Sequence, residues 1–256
     1  MGCPDKTIEK QGAGASMIKT PEVAKAVIAA AKQGIRDAGK DIPVSVKTRI
    51  GYSEIQYEWI AMLLAQDIAA LSVHVRTRKE LSLTKADWMR LKEVVKLRDK
   101  IAPQTVVLGN GDVTSIQDGL EKAKISGADG VMVGRALFGN PWFFDATRAI
   151  QTVLPKRRFA FLRKIPILKY LSHTVRGTAQ SAANPITISE RLNVMVEHAE
   201  LFEQYLGNTK SFAIMKKHFK AYCTGFAGAK DLRIKLMDEA KNAADIRAIV
   251  GNSGLL

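Results

Sequence analysis

Apolar residues in the first 145 positions alternate between helical spacing and short β-branched runs. Pro21 to Ala38 predicts a helix, with Thr20 as its N-cap and Pro21 suited to its first turn. Val44–Ile50, rich in branched side chains, predicts a strand. Ile55–Asp67 returns to helical spacing through Ile60, Leu63 and Leu64. Leu71–Thr77 predicts the next strand, and Asp87–Leu97 a helix carrying Trp88, Leu91 and Val95 on one side. Thr105–Asn110 predicts a strand closed by Gly111. Thr114-Ser-Ile-Gln117 resembles a capping box for a helix that stops near Gly127. Gly130–Val133 predicts a last strand, ending in Gly134-Arg135.

Strand and helix alternating at this spacing imply parallel βαβ units, which fit either a doubly wound sheet or a (β/α)₈ barrel. The pattern Gly109-Asn-Gly111 lacks the third glycine of a dinucleotide fingerprint, which disfavours the doubly wound reading. Past residue 160 the strand signals fade. Thr187-Ile-Ser-Glu190 is a second capping-box pattern, followed by Leu192, Met195, Val196, Ala199, Phe202 and Leu206 at helical spacing. Ser211–Tyr222, Ala229–Glu239 and Ala243–Ile249 predict further helices. The expected organisation is therefore a β/α domain over 1–154 and an all-helical domain over 155–256.

Charge sharpens this picture. The chain of 256 residues has 39 Lys+Arg against 25 Asp+Glu, a net charge of +14. From Ala146 to Ser189 there is no acidic residue, yet Arg157, Arg158, Arg163 and Lys164 stand there with four further cations. A single-sign block of that length points to a polyanionic partner such as nucleic acid. Lys216 and Lys217, beside His218, form a second basic helix face, open to reading as phosphate-contacting or merely solvated. No apolar run is long enough to span a bilayer and no secretory leader opens the sequence, so a cytoplasmic location without membrane contact is expected. Two cysteines do not make a disulfide framework, so Cys3 and Cys223 are read as free thiols, Cys223 as a core residue.

The strand ends carry the chemistry. Ser45, Lys47 and Arg49 face one way along the first strand, as Ser72, His74 and Arg76 do along the second. Cations inside a barrel are costly unless a ligand or an ion-pair partner meets them. Few carboxylates lie on these strands, so the ligand reading is preferred. The last two strands end in Gly109-Asn-Gly-Asp112 and Gly134-Arg135, glycine-rich turns of the kind that hold phosphate in (β/α)₈ barrels. Cys3, in Gly2-Cys-Pro4, is a thiol able to give a proton near neutral pH.

In order, Gly2-Cys-Pro4 with Gly12-Ala-Gly-Ala15, Val46-Lys-Thr-Arg-Ile-Gly51, Val73-His-Val-Arg-Thr-Arg78, Gly109-Asn-Gly-Asp112, Gly130-Val-Met-Val-Gly-Arg135 and Gly139-Asn-Pro-Trp142 resemble the signature of tRNA-dihydrouridine synthases. Met215-Lys-Lys-His-Phe-Lys-Ala-Tyr222, Gly228 and Leu232-Arg233 are similar to that family's helical domain. The resemblance implies an FMN-binding TIM-type (β/α)₈ barrel followed by a helical tRNA-binding domain. It also implies reduction of specific tRNA uridines to 5,6-dihydrouridine, with NADPH as reductant of the flavin. Carried onto this chain, it makes Cys3 the proton donor and sets Lys47 and His74 near the flavin. It gives Asn110, Gly111, Asp112, Gly134 and Arg135 to the ribityl phosphate; the charge pattern adds Arg157, Arg158, Arg163, Lys164, Lys216 and Lys217 as expected tRNA contacts. Val75 stands where the family has glycine. The Gly-Cys-Pro motif of the family follows the fourth barrel strand, so only the second half of the barrel is expected here, with edges open to association. Two alternatives remain: an inactive fragment that only binds RNA, and another FMN-barrel oxidoreductase acting on a small molecule.

Overall fold

The computed structural model describes residues 1–145 and 186–255. The expected domain boundary at 154/155 and the cations Arg157, Arg158, Arg163 and Lys164 lie outside the described residues. The chain divides into two compact units, Met1–Arg135 and Ala136–Leu256.

The first unit holds four parallel strands in sequential order: β1 (Ser45–Arg49), β2 (Ala70–His74), β3 (Val106–Asn110) and β4 (Gly130–Met132). Helices α1 (Lys6–Lys10) and α2 (Pro21–Asp37) precede them, and α3 (Tyr57–Leu64), α4 (Leu91–Ile101) and α5 (Ile116–Ser126) connect them. Sequential order with a helix between parallel strands is what the alternating periodicity predicts. The register aligns Val46 with Leu71 and Val107, and Thr48 with Val73, Gly109 and Val131. Apart from Val131, which is half-buried, this face is buried beneath the helices. The Trp59 indole of α3 donates to Thr48 Oγ1 at 2.9 Å, and Trp88 and Leu91 press on Gly109 so closely that an added Cβ would meet Trp88 at 2.1 Å. The second glycine-rich turn of the sequence thus owes its first glycine to packing.

The opposite face is different. Ser45 and Lys47 are exposed, and His74, Leu108, Asn110, Gly130 and Met132 only half-buried, while Ser72 and Arg49 are buried. Parallel sheets are ordinarily covered on both faces.

Several sequence-based expectations are corrected. Thr20 makes no side-chain cap at the start of α2. Ser115, not Thr114, caps α5 by accepting from Asp118 N, while Thr114 instead binds the Asp118 carboxylate. The second strand stops at His74, because Arg76 and the residues after it leave the ladder to make side-chain bonds. Residues Trp88–Arg90 form a 3₁₀ turn before α4.

The second unit is helical: α6 (Ile188–Leu206), α7 (Lys216–Tyr222), α8 (Ala229–Glu239) and α9 (Ala243–Gly251). Thr187 caps α6 by accepting from Glu190 N, as the capping-box pattern predicts. Leu192, Met195, Val196, Ala199 and Phe202 turn inward to meet Met215, Phe219, Tyr222, Leu236, Ile246 and Val250. Leu206 is exposed, because the helix ends where that stripe outruns its partners. Cys223 is fully buried with its Sγ 3.9 Å from Met195 Sδ, and burial pushes its pKa up to about 11. Among the described residues no helix is long and apolar enough to cross a membrane.

Candidate active site

All four strands run the same way, so the segments after their C-terminal ends gather on one edge of the sheet. The exposed face leads to that edge through two rows: Lys47, Ser72, Leu108 and Gly130, then Arg49, His74, Asn110 and Met132.

The N-terminal segment runs alongside β1 in the same direction. The Met1 amine donates to Lys47 O at 2.9 Å, Thr48 Oγ1 to Met1 O at 3.3 Å, and Arg49 Nε to Gly2 O at 3.1 Å. Gly2 is needed for this approach, since a Cβ there would come within 3.1 Å of the Thr48 carbonyl carbon. This path delivers Cys3, exposed, to the C-terminal end of β1, near enough to Arg49 for the two to interact electrostatically. Ala15 N holds the Cys3 carbonyl at 2.8 Å, and the same crowding makes Gly14 obligatory, its φ of +65° putting a hypothetical Cβ 2.6 Å from Cys3 O.

His74 lies between cations. Burial, with Arg49, Lys47 and Arg76 outweighing Asp112, lowers its pKa to about 3, so the ring is neutral. The backbone N–H of Arg76 donates to His74 Nδ1 at 3.3 Å, which leaves the ring proton on Nε2 as a donor. Lys47 extends from the exposed row, and partial desolvation with Arg49 nearby lowers its ammonium pKa.

The two arginines read from the sequence as awaiting a ligand are largely satisfied internally. Arg49 donates to Gly2 O, to Thr77 O at 2.8 Å and to Leu81 O at 3.3 Å. Arg76, 2% exposed, pairs with Asp112 and donates to Thr84 O. The carboxylate that was missing from the strands comes from the turn after β3. One donor atom of Arg76 is left over: its Nη1 is buried with no partner among the described residues, as is Nη2 of Arg98.

Asp112 is the hub of that turn. Its φ is +50°, and Gly111 before it has a φ of +136°. Its carboxylate accepts from Arg76, from Ala86 N at 3.1 Å and from Arg135 Nη2 at 2.7 Å. Burial pushes the carboxyl up, but the hydrogen bonds of Arg76 and Ala86 and the charges of Arg76 and Arg135 outweigh it and hold it below the usual range. Asn110 Nδ2 donates to Met132 O at 2.8 Å. The Trp88 indole donates to Gly111 O at 2.9 Å. Gly134 is exposed, with open space where a Cβ would stand. Val75 is fully buried, and its backbone N–H donates to Asn110 O at 3.1 Å.

The site therefore offers donors: Lys47 Nζ, His74 Nε2, the unpartnered Arg76 Nη1 and Arg135. Flexible glycine turns lie beside them, with one thiol at the end of β1. Such a set suits an anionic, acceptor-rich ligand. Sequence reasoning missed Trp88 and the carbonyl partners of Arg49, because neither has a motif; only three-dimensional proximity brings them in. In the helical unit Lys216 Nζ donates to Met237 O at 2.5 Å and Lys217 is exposed, while His218 stacks edge-on with His198 at 4.9 Å.

The family model for dihydrouridine synthases matches residues 1–250. The chain is 35% identical over 253 residues to a probable tRNA-dihydrouridine synthase of Staphylococcus aureus (strain MRSA252), covering 98% of this chain and 64% of that one. It is 34% identical over 253 residues to probable tRNA-dihydrouridine synthase 2 of Bacillus subtilis (strain 168), with 98% and 65% covered. The chain thus spans about two-thirds of the length of these curated relatives, just below that fraction.

Proposed function

Because this chain belongs to the dihydrouridine synthase family, we propose that it carries the proton-donor and flavin-holding half of an enzyme that reduces uridines in tRNA to 5,6-dihydrouridine. The observation that carries the reading is the path of residues 1–3 along β1, which brings the Cys3 thiol to the same sheet edge as Lys47, His74 and the glycine turns. The names of the two relatives support tRNA as the substrate of this chain. The half-exposed parallel face supports the reading that β1–β4 are part of an eight-stranded barrel, whose remaining strands would cover that face. The helical unit is the proposed tRNA-binding domain.

The donor set fits FMN: a phosphorylated group rich in acceptors, met by cations, a neutral imidazole N–H and glycine backbone. When bound, FMN reduced by NADPH would provide hydride chemistry toward C6 of the uracil. Lys47 would favour negative charge on the isoalloxazine by proximity. His74, neutral and fixed in one tautomer, would donate to it without adding charge. Arg76 Nη1, Arg135 and the Gly111 and Gly134 backbones would hold the phosphate end. Cys3 would give its proton to C5, which balances the hydride at C6 and leaves a thiolate to be reprotonated from solvent.

Replacing Cys3 by alanine tests this. Flavin bleaching by NADPH should persist while dihydrouridine formation in tRNA falls by at least about 100-fold, the lower end of what a positioned acid contributes. Undiminished product would remove Cys3 from the mechanism. Absence of any flavin band in the chain after incubation with FMN would favour the RNA-binding fragment instead.

A further inference from the structure

An open surface depression of about 300 Å³ lies beside α1, lined by Lys6, Glu9, Lys10, Ser16, Lys19 and Tyr52. Its one carboxylate is already occupied. Arg78 grips Glu9 through Nε at 2.8 and 2.9 Å and through Nη2 at 2.5 Å. Lys19 Nζ sits 3.7 Å over the Tyr52 ring, and the Arg78 guanidinium carbon 5.7 Å from it. Lys6, Lys10 and Lys19 make no ion pair among the described residues. Three exposed lysines around one depression, with the nearby carboxylate paired to Arg78, leave a positive local charge that an anion can meet.

The walls of this depression are also the supports of the thiol loop. Lys6 follows Cys3 by three residues in the chain, and Asp5 between them caps α1 by accepting from Thr7 N and Ile8 N. The turn Gly14–Lys19 contains the Ala15 amide that holds Cys3 O. Arg78 donates to Pro4 O at 3.2 Å while it holds Glu9. An anion bound here is thus fixed on the same block as the Cys3 backbone.

Resting on the tRNA reading above, we infer that this depression is a seat for a backbone phosphate of the RNA strand, close to the nucleotide presented to Cys3. The alternative phosphate source is the reducing dinucleotide. The lining argues against it: Tyr52 is its one aromatic residue, and Lys19 already covers a face of that ring, so there is no stacking slot for a nicotinamide or adenine. The seat suits a single phosphate of a strand passing over it.

Measurement of tRNA affinity against salt for the full chain and for Lys10→Gln, Lys19→Gln and the double variant tests the proposal. A lost phosphate contact should reduce the slope of log affinity against log salt by about 0.7–1. Raising salt fourfold should then weaken binding about threefold to fourfold less than in the parent. Lys19→Arg, which keeps the charge, should restore the parent slope. A parent that binds tRNA with variants of unchanged slope overturns the phosphate seat alone. A parent with no tRNA affinity overturns the tRNA reading and the phosphate seat together. Slower flavin reduction by NADPH in Lys19→Gln, with the tRNA slope intact, assigns the phosphate to the dinucleotide and overturns the proposal.

Discussion

The two units bury different kinds of side chain. In α6–α9 the interior is almost wholly apolar, built from Leu192, Met195, Phe219, Leu236, Ile246 and Val250. In the sheet unit the apolar face is sealed, but Arg76 and Arg98 are also buried, at 2% exposure each. Arg98 is met by Asp99 at 2.8 Å, Asp129 at 2.5 Å and Thr105 O at 2.8 Å. The helical unit is held by burial, which is indifferent to pairing geometry. The sheet unit is held in addition by specific partners, and removing one leaves an uncompensated charge. Arg76 stands at the C-terminal ends of the strands and Arg98 at their N-terminal ends, so buried charge runs through this unit and its pairing network keeps it tolerable.

Asp112→Ala should destabilise the sheet unit by about 3–5 kcal/mol because Arg76 loses its carboxylate partner. Hydrogen exchange read separately in β1–β4 and α6–α9 would show loss confined to the strands; equal loss in the helices would erase the contrast. Phe219→Ala should cost about 3–5 kcal/mol in the helical unit by leaving a cavity. That loss should not change with salt, whereas the Asp112→Ala loss should. Gly109→Ala should cost about 1–3 kcal/mol, since the methyl would drive into Trp88; Trp88→Leu in the same chain should recover part of it, as measured by urea midpoint.

A further expected effect concerns pH. In the folded sheet unit His74 stays neutral down to about pH 3, whereas unfolded histidine takes up a proton near pH 6.5. The unfolded chain therefore binds more protons between these values, and the stability present above pH 6.5 declines as pH falls toward 3. His74→Asn should flatten that part of the midpoint-against-pH curve. An unchanged curve would show that carboxylates such as Asp112, held low by Arg76, account for the acid sensitivity alone.

Legibility followed local chemistry. The strands at Ser45 and Val106 were readable because β-branched runs bounded by turn residues have few other solutions, and the α6 cap at Thr187 because its partner is three residues away. Thr114 misled because Ser115 offers the same hydroxyl one residue later, and only backbone direction chooses between them. The placement of Lys47 and His74 in adjacent rows followed from strand alternation. The pairing of Arg76 with Asp112 spans 36 residues and the carbonyls that meet Arg49 carry no motif, so the strand pattern alone leaves both arginines open to a ligand. Glu9 with Arg78, 69 residues apart, is hidden for the same reason, and with it the depression beside α1.

Trp88 connects two otherwise separate facts: its ring presses on Gly109 and its indole N–H is bound to Gly111 O. The buried face of the sheet thereby carries an intrinsic optical sensor for the turn after β3. Any occupant that shifts the Gly111 carbonyl alters the hydrogen bond of an indole shielded from solvent, and so its emission wavelength and lifetime. Trp59, equally buried but bonded to Thr48 of β1, supplies an internal reference in the same unit. Occupancy of the glycine turns can thus be followed in the unlabelled chain, without a chromophore on the ligand.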